Sequence, residues 1–506
     1  MALHPPARTR KKKWARKTLR HRITPWGDLS TMRLDRHARH AFLGLGPLTL
    51  AAAALPALAQ IPAQTPVTPA GKEALAVLEE AVAVPTVEGR GQVPVLADKL
   101  KARLLAAGFK PGEVAFTPVG ETGYLTARYP GRDRKAPPTL IIAHMDVVEA
   151  KPEDWERDPF TPVIEDGYLF GRGSLDNKGD LAMVMATVMK LRREGWVPAH
   201  DLVLAFSGDE ETQMASTAAM ASAIAGAGKV DLVLNADSGG GTLGKDGKPF
   251  VYEVQAGEKT YADYRLTLSD PGGHSSRPGR TNPIAAMGTA LEKVWAHRFP
   301  VQVSPLTKAY LEGSAPSAPA EVAVAMRAIA ANPADAEAAA ALSARPEYVG
   351  VIRTTCVPTM IEGGHAPNAL PQSVTANVNC RIFPGNPRAK VMETLKGVID
   401  NPAISIEFID NGTLESIESP LRDDVMKAVA TAVHQRAPGL AIVPGMSAGA
   451  TDSMHFRSKG IPAFGVSAVF MAPGDEFAHG LNERLPLATI DPGVKQWETL
   501  LRTLLK

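Results

Sequence analysis

The sequence predicts an α/β fold in which a mixed, largely parallel sheet is flanked by helices and interrupted by an inserted α+β domain. Short, continuously apolar runs at 139–143, 202–206 and 232–235 are typical of strands buried on both faces of a parallel sheet. A helical pattern over 180–194 lies between the first two runs. Near residue 257 the pattern changes to the apolar–polar alternation of half-exposed strands, which indicates the inserted domain.

Composition excludes several classes of protein. The chain has 506 residues, of which 45% are hydrophobic and 21% charged, and it has two cysteines. These values are those of a globular protein, and they exclude collagen-like, disulfide-dense and disordered chains. Residues 60–506 hold eight more acidic than basic side chains, which argues against a nucleic-acid partner.

The N-terminal region resembles a bacterial secretory signal. Residues 41–59 form an apolar run that follows a cluster of arginines and ends in Ala-Leu-Ala before Gln60. We therefore expect 1–59 to be a signal region, with Met32 as the true start. Without a pair of adjacent arginines before the apolar run, we expect the general secretory route, a periplasmic or secreted protein, and no stable membrane anchor after cleavage. A retained anchor and a basic arm that binds nucleic acid or lipid headgroups are the alternatives.

The remaining chain divides into three segments. Residues 60–256 and 415–506 carry the α/β pattern, so we expect them to form one domain. Residues 257–414 have the β-α-β-β-α-β order of a ferredoxin-like sandwich and are inserted into that domain. Within the insert, the Ala-rich stretch 302–349 predicts additional helices.

The two cysteines lie on successive strand-like runs of the insert. If those runs pair antiparallel with 363 near 373, Cys356 lies opposite Cys380. A disulfide between them and a pair of unpaired buried thiols are both consistent with the sequence.

Metal-ligating residue types recur at the predicted strand ends. Side chains at the carboxyl ends of parallel strands project into one crevice. Each motif alone has a structural explanation, such as a helix cap or a solvated acidic loop. Together they provide two histidines and several carboxylates, enough for a two-metal site with a bridging carboxylate. The candidates are His144, Asp146, Asp176, Glu210, Glu211, Asp237 and His479.

The order and context of these motifs resemble the M20 family of metallopeptidases over roughly residues 72–506. That group contains glutamate carboxypeptidase, carboxypeptidase S, aminoacylase-1 and succinyl-diaminopimelate desuccinylase. The segment 143–148 and the glycine-rich segment 171–178 match the family signature almost throughout. The resemblance implies a zinc-peptidase-like catalytic domain and an inserted lid and dimerisation domain.

The resemblance also implies a role for each candidate. Two Zn²⁺ ions, or Co²⁺ or Mn²⁺, would share a bridging hydroxide, with Asp176 bridging both ions before a cis peptide bond. Glu210 would be the general base. The remaining implied roles are His144 and Asp237 on one ion, Glu211 and His479 on the other, and Asp146 orienting His144.

Four residues outside the metal centre are implied to bind substrate. His274 resembles the lid histidine that reaches the partner's active site in dimeric relatives, which implies a homodimer through the lid. Asn368 and Arg381 resemble the pair that holds a free carboxylate, and the loop at Gly449 resembles a family loop whose backbone would contact the same group.

These observations favour an exported dizinc carboxypeptidase or dipeptidase that cleaves the amide bond next to a C-terminal residue. Within the family, Asp at position 237 favours a peptidase over a deacylase. The alternative is an N-acyl-amino-acid hydrolase with the same mechanism. Two remoter alternatives are a serine hydrolase, because 445–449 fits the G-x-S-x-G pattern around Ser447, and a non-catalytic binding protein.

Overall fold

The computed structural model describes residues 65–506 except 411, 473 and 476. The predicted signal region lies outside these residues. The strands, in chain order, are β1 (Val114–Val119), β2 (Thr122–Tyr129), β3 (Thr139–His144), β4 (Val163–Glu165), β5 (Tyr168–Phe170), β6 (Leu202–Ser207), β7 (Leu232–Asn235), β8 (Gly240–Leu243), β9 (Pro249–Glu258), β10 (Thr260–Ser269), β11 (Gly273–His274), β12 (Thr355–Gly363), β13 (Ala369–Leu370), β14 (Ser373–Ile382), β15 (Ser405–Ile409), β16 (Ile442–Ser447), β17 (Ala463–Gly465), β18 (Phe470–Met471) and β19 (Arg484–Pro486).

The helices begin and end close to the predicted limits where a limit was predicted. In chain order they are α1 (Pro69–Val82), α2 (Val93–Ala106), α3 (Lys178–Arg193), α4 (Ala215–Ala227), α5 (Pro283–Ala296), α6 (Pro305–Ser314), α7 (Ala320–Ala331), α8 (Ala336–Ser343), α9 (Pro346–Val349), α10 (Arg388–Ile399), α11 (Asp423–Arg436), α12 (Ser453–Arg457) and α13 (Ile490–Leu504). None of these helices combines the length and the apolar character that a membrane span requires.

A ten-stranded mixed sheet forms the larger part of the fold, which confirms the predicted class. Its strand order is β1-β2-β6-β3-β7-β17-β9-β8-β18, and β16 pairs with β9. The central strands β6, β3, β7 and β17 are parallel, while β9 runs antiparallel to β17. The carboxyl ends of the central strands therefore lie at one edge of the sheet.

Helices cover both faces of this sheet, which explains the continuous apolar runs. On β3, Ile141 and Ala143 pack in a core with α1, α3, α11 and α13. The alternate residues Leu140 and Ile142 pack in a second core with α4 and α12. Because successive strand side chains point to opposite faces, a strand between two helical layers has no polar position.

The segment from β10 to β15 forms a separate four-stranded antiparallel sheet. Its order, β12-β14-β10-β15, and the packing of α5 and α10 against it match the predicted ferredoxin-like arrangement. The domain limits at 257 and 414 themselves stay a prediction. Cys356 lies opposite Cys380 in the β12–β14 ladder, and the two form a disulfide bond.

The stretch 302–349 is helical, as predicted, and comprises α6 to α9. These helices share a small core that includes Leu311, Met326 and Leu342. Helix α6 packs against β16 of the large sheet. Gly313 makes this close approach possible, because a Cβ atom at this position would lie only 3.0 Å from Val443. The insertion therefore contacts the edge of the larger sheet near the ends of β9 and β16.

Candidate metal centre

Three neighbouring parallel strands deliver most of the predicted metal ligands to one edge of the sheet. His144 is the last residue of β3 and lies opposite Ser207, so Glu210 and Glu211 follow just beyond the end of β6. Asn235 ends β7 opposite Ile142, which places Asp237 at the level of His144. This edge is where α/β proteins bind ligands.

Two loops complete the cluster. Asp176 lies before α3 and is joined to Asn177 by a cis peptide bond, as the family resemblance implied. His479 lies in the loop before β19 and has a positive φ of 60°.

Asp176 lies between the two histidines. Its Oδ1 is 2.9 Å from Nε2 of His144, and its Oδ2 is 3.2 Å from Nε2 of His479. His144 Nε2 is also 3.5 Å from Asp237 Oδ1, and His479 Nε2 is 2.8 Å from Glu211 Oε2. One carboxylate oxygen thus faces each histidine, which is the arrangement expected of a bridging ligand.

The donor atoms converge closely enough to hold metal ions. One set of three potential ligand atoms, from His144, Glu210 and Asp237, lies within 4.8 Å, and a second set comes from His144, Asp176 and Glu211. Nδ1 of His144 lies 3.0 Å from the backbone oxygen of Asp146. Because that carbonyl can only accept, Nδ1 carries a proton, which leaves Nε2 as the nitrogen that a metal ion would bind. The residues present therefore fit a divalent metal centre.

The charges of the cluster also favour cations. Burial raises the pKa of Asp237 to about 7, and it raises the pKa values of Glu210 and Glu211 as well. Hydrogen bonds with Asp176 and Glu211 raise the pKa of His479 to about 10. Burial lowers the pKa of His144, but the adjacent carboxylates, Asp237 first, hold it well above its usual value. Four carboxylates in one partly buried cluster thus draw positive charge, which divalent ions would supply.

Asp146 contacts His144 through both its carboxylate and its backbone. Its Oδ1 is 3.5 Å from Nδ1 of His144, and its backbone carbonyl accepts a hydrogen bond from the same nitrogen at 3.0 Å. The carboxylate also accepts hydrogen bonds from the backbone nitrogens of Glu210 at 3.1 Å and Glu211 at 3.0 Å. Asp146 therefore fixes two adjacent acidic residues whose side chains belong to different parts of the cluster.

Glu483 is a positioning residue that the sequence did not single out. Its buried carboxylate accepts hydrogen bonds from the backbone nitrogens of Gly173, Leu175 and Asp176 at 2.8–2.9 Å, and from Arg172 Nη1 at 2.7 Å. These bonds hold the loop that carries Asp176. The available signal was an acid four residues after His479 in the same short motif.

The metal centre opens into a cleft of about 560 Å³. Asp176, Glu210, Glu211, Asp237 and His479 line one part of it. Gly449 lines it too, as predicted for a substrate-binding residue.

The structure separates the other three predicted substrate-binding residues from this cleft. Arg381 on β14 donates a hydrogen bond from Nη1 to the carbonyl oxygen of Ala448 at 2.9 Å, and it therefore lies behind the loop of Gly449. His274 and Asn368 meet in the β11–β13 ribbon, where the Ser275 nitrogen donates to the Asn368 carbonyl at 3.0 Å. Both side chains are exposed, and neither lines the cleft.

The catalytic triad of the serine-hydrolase alternative is not assembled. Ser447 Oγ accepts a hydrogen bond from the Gly449 nitrogen, while the carboxylate of Asp452 accepts from Ser207 and Thr217. His479 contacts Asp176 and Glu211 instead of either residue.

Comparisons with known proteins agree with this geometry. Residues 140–503 match the model of peptidase family M20/M25/M40. The chain is 27% identical over 379 residues to the N-fatty-acyl-amino acid synthase/hydrolase PM20D1 of Bos taurus, covering 72% of this chain and 74% of the relative.

Solved structures share the fold. An M20 family metallo-carboxypeptidase from Sulfolobus solfataricus has a TM-score of 0.64 at 20% identity, covering 85% of this chain and 99% of that one. A Bacillus subtilis protein described as a dinuclear metal-binding peptidase of the M20 family has a TM-score of 0.54 at 15% identity, covering 86% and 98%.

Proposed function

The chain belongs to peptidase family M20/M25/M40 and is a hydrolase, and from this premise we propose that it is a dizinc carboxypeptidase or dipeptidase. In this proposal it cleaves the amide bond next to a residue with a free carboxylate. The observation that carries the proposal is Asp176, whose two oxygens each face one histidine.

Five residues would hold the two metal ions: His144, Asp176, Glu211, Asp237 and His479. When bound, the ions would polarise the scissile carbonyl and lower the pKa of water. Glu210 is not one of these five ligands, and its carboxylate would transfer protons. Its side chain lies beside His144 and Asp237, and burial raises the pKa of its carboxylate, which suits a group that accepts a proton and later releases it. It takes the proton from the attacking water and delivers it to the leaving nitrogen.

The leaving residue's carboxylate would bind near the loop of Gly449. Gly449 and Ala450 of this loop line the cleft, and the guanidinium of Arg381 donates to the carbonyl oxygen of Ala448 in the same loop. A guanidinium supplies the paired donors that a carboxylate prefers.

In this proposal, His274 and Asn368 contribute to the active site of a second copy of the chain. Their exposure outside the cleft of their own chain is what a residue serving a partner's site requires. The edge strand β12 nearby exposes three apolar side chains that a homodimer would cover: Val357, Met360 and Ile361. Analytical ultracentrifugation at micromolar concentration tests this, and a monomer would contradict it.

A second candidate function is hydrolysis of N-acyl amino acids, which the similarity to PM20D1 favours. Both activities use the same metal centre and carboxylate site, and they differ in the acyl portion of the substrate. The test is release of free amino acid from matched dipeptides and N-acyl amino acids, with chelator and after zinc is restored. Chelator-sensitive peptide cleavage supports a peptidase, and cleavage of the N-acyl substrates alone supports the second candidate. Turnover that persists without metal contradicts both.

Export by the general secretory route also stays a proposal. The Cys356–Cys380 disulfide supports it, because such bonds persist in oxidising compartments. N-terminal sequencing of the protein recovered outside the cytoplasm tests it. A mature chain that begins near Gln60 is expected, and a chain retained in the cytoplasm would contradict the proposal.

A further inference from the structure

Not every carboxylate that lines the cleft belongs to the candidate metal centre. Glu253 on β9 lines the cleft together with the metal-ligating residues, and it also lines a second cavity of about 240 Å³ beneath the insertion helix α6. Among the residues that the structure describes, it has no hydrogen-bond donor and no basic partner within ion-pair distance. It is partly buried, and Tyr310 of α6 lies close enough to interact with it electrostatically.

The local backbone makes room for this carboxylate. β16 has a glycine, Gly445, beside it, and any side chain there would collide with the Glu253 carboxylate. The lack of a partner has a cost, since burial raises the pKa of Glu253 to about 7. A carboxylate that lines a cleft without a hydrogen-bonding or basic partner is typical of a group that binds a ligand.

Sheet topology places Glu253 at the same edge of the sheet as the candidate metal centre. β17 lies between β7 and β9, with Gly465 opposite both Asn235 and Gln255. Because β7 is parallel and β9 antiparallel to β17, Asp237 and Glu253 each lie two residues beyond this level, towards the carboxyl ends of the central strands. Two strand spacings, about 10 Å, separate β7 from β9.

A second unpartnered group lies on the same strand. Gln255 is 1% exposed, and its Oε1 accepts a hydrogen bond from Arg457 at 2.9 Å, which fixes the amide orientation. Its Nε2 is buried and has no partner among the described residues. Because Gln255 lies two residues from Glu253 on β9, the two side chains share one face of the strand.

We propose that Glu253 is a specificity-determining residue that binds a basic side chain on the acyl portion of the substrate. The inference rests on the proposed function, because the acyl portion is defined by the scissile amide. The leaving residue carries a carboxylate, which Glu253 would repel, so the acyl portion is the part that extends towards it. Lysine places its ammonium group on a flexible four-carbon stem, which suits the separation from the metal centre.

The proposal distinguishes this cleft from one built for an aliphatic acyl chain. An apolar chain would desolvate the Glu253 carboxylate without giving it a partner, which is unfavourable. A basic side chain supplies the missing cation. We therefore expect peptides with a lysyl residue before the scissile bond to be preferred over their uncharged analogues.

The test compares lysyl-leucine with norleucyl-leucine, which lacks only the charged amino group, using the zinc-loaded full-length protein. We expect the wild type to prefer lysyl-leucine by about tenfold in kcat/KM. In Glu253→Gln this ratio should fall close to one, because the lysyl peptide loses its partner and the norleucyl peptide no longer desolvates a carboxylate. The matched control Glu407→Gln, which alters an exposed glutamate of the smaller sheet, should keep the wild-type ratio. A wild type without preference, or a Glu253→Gln variant that retains it, overturns the proposal.

A second measurement does not depend on turnover. Glu253→Gln removes no hydrogen bond, so its melting temperature should equal or exceed that of the wild type. Free lysine should raise the melting temperature of the wild type more than norleucine does, and this difference should vanish in Glu253→Gln. Equal shifts from both amino acids in the wild type overturn the proposal even if no amide substrate is found. Absence of turnover together with the lysine-specific shift would instead contradict the proposed function alone.

Discussion

The loop that carries Asp176 depends on Glu483. Replacing Glu483 with alanine removes the acceptor for three backbone nitrogens and for Arg172 Nη1. Both partners of the ion pair are almost fully buried, with side-chain exposures of 3% for Arg172 and 0% for Glu483. Removing one member of such a pair leaves an uncompensated buried charge and typically costs about 3–5 kcal/mol. We therefore expect Glu483→Ala to lower the free energy of unfolding by about 3–5 kcal/mol.

Urea denaturation of the metal-free protein, followed by circular dichroism, measures this loss without a contribution from metal binding. The matched control is Glu194→Ala, which breaks exposed ion pairs with Arg502 and Lys190. Exposed pairs contribute about 0–1 kcal/mol, so this variant should unfold almost like the wild type. The activity of Glu483→Ala should also fall, because Asp176 loses one of the contacts that place its loop. A loss of stability equal to that of the control would refute the reasoning.

Three further predictions concern the base, a charged network and the disulfide. Glu210→Gln should lower kcat by about a hundredfold to ten-thousandfold while the metal content stays that of the wild type, and lost metal would contradict its role as base. Burial raises the pKa of Glu498, but hydrogen bonds from Lys190 and its neighbours outweigh this and set it at about 2. Because this pKa is lowered on folding, Glu498 stabilises the folded state above the unfolded pKa near 4.5, and this stabilisation is lost as the pH falls towards 2. Glu498→Gln should therefore flatten the plot of unfolding free energy against pH over this range. An unchanged plot would contradict the assignment. Cys356→Ser/Cys380→Ser opens a loop closed over a separation of 24 residues and should cost about 3 kcal/mol in urea unfolding, and a variant as stable as the wild type would contradict this.

The sequence predicts the centre of the large sheet well because burial on both faces leaves a clear local pattern. The run 139–143 corresponds to β3 (Thr139–His144), with six buried residues in succession. The glycine-rich segment around Asp176 and the acids after β6 also lie together as their positions at strand ends predicted.

Contacts formed between distant parts of the chain could not be predicted in the same way. The docking of α6 against β16 depends on the complementary shapes of Gly313 and Val443, which lie 130 residues apart. The carboxylate of Asp146 also accepts hydrogen bonds from two backbone nitrogens, a contact whose direction only the folded turn defines. The isolation of Glu253 is a property of its surroundings, and no pattern in the sequence around it indicates the absence of a partner.

Metal content per chain, measured by elemental analysis, tests the central claim most directly. Wild-type protein purified without chelator should contain about two divalent ions per chain, and Asp176→Ala should lose most of both because Asp176 contacts both histidines. The variant His434→Ala, which alters a histidine of α11 outside the cluster, should retain the wild-type content. A wild type without bound metal, or an Asp176→Ala variant that keeps two ions, would contradict the account.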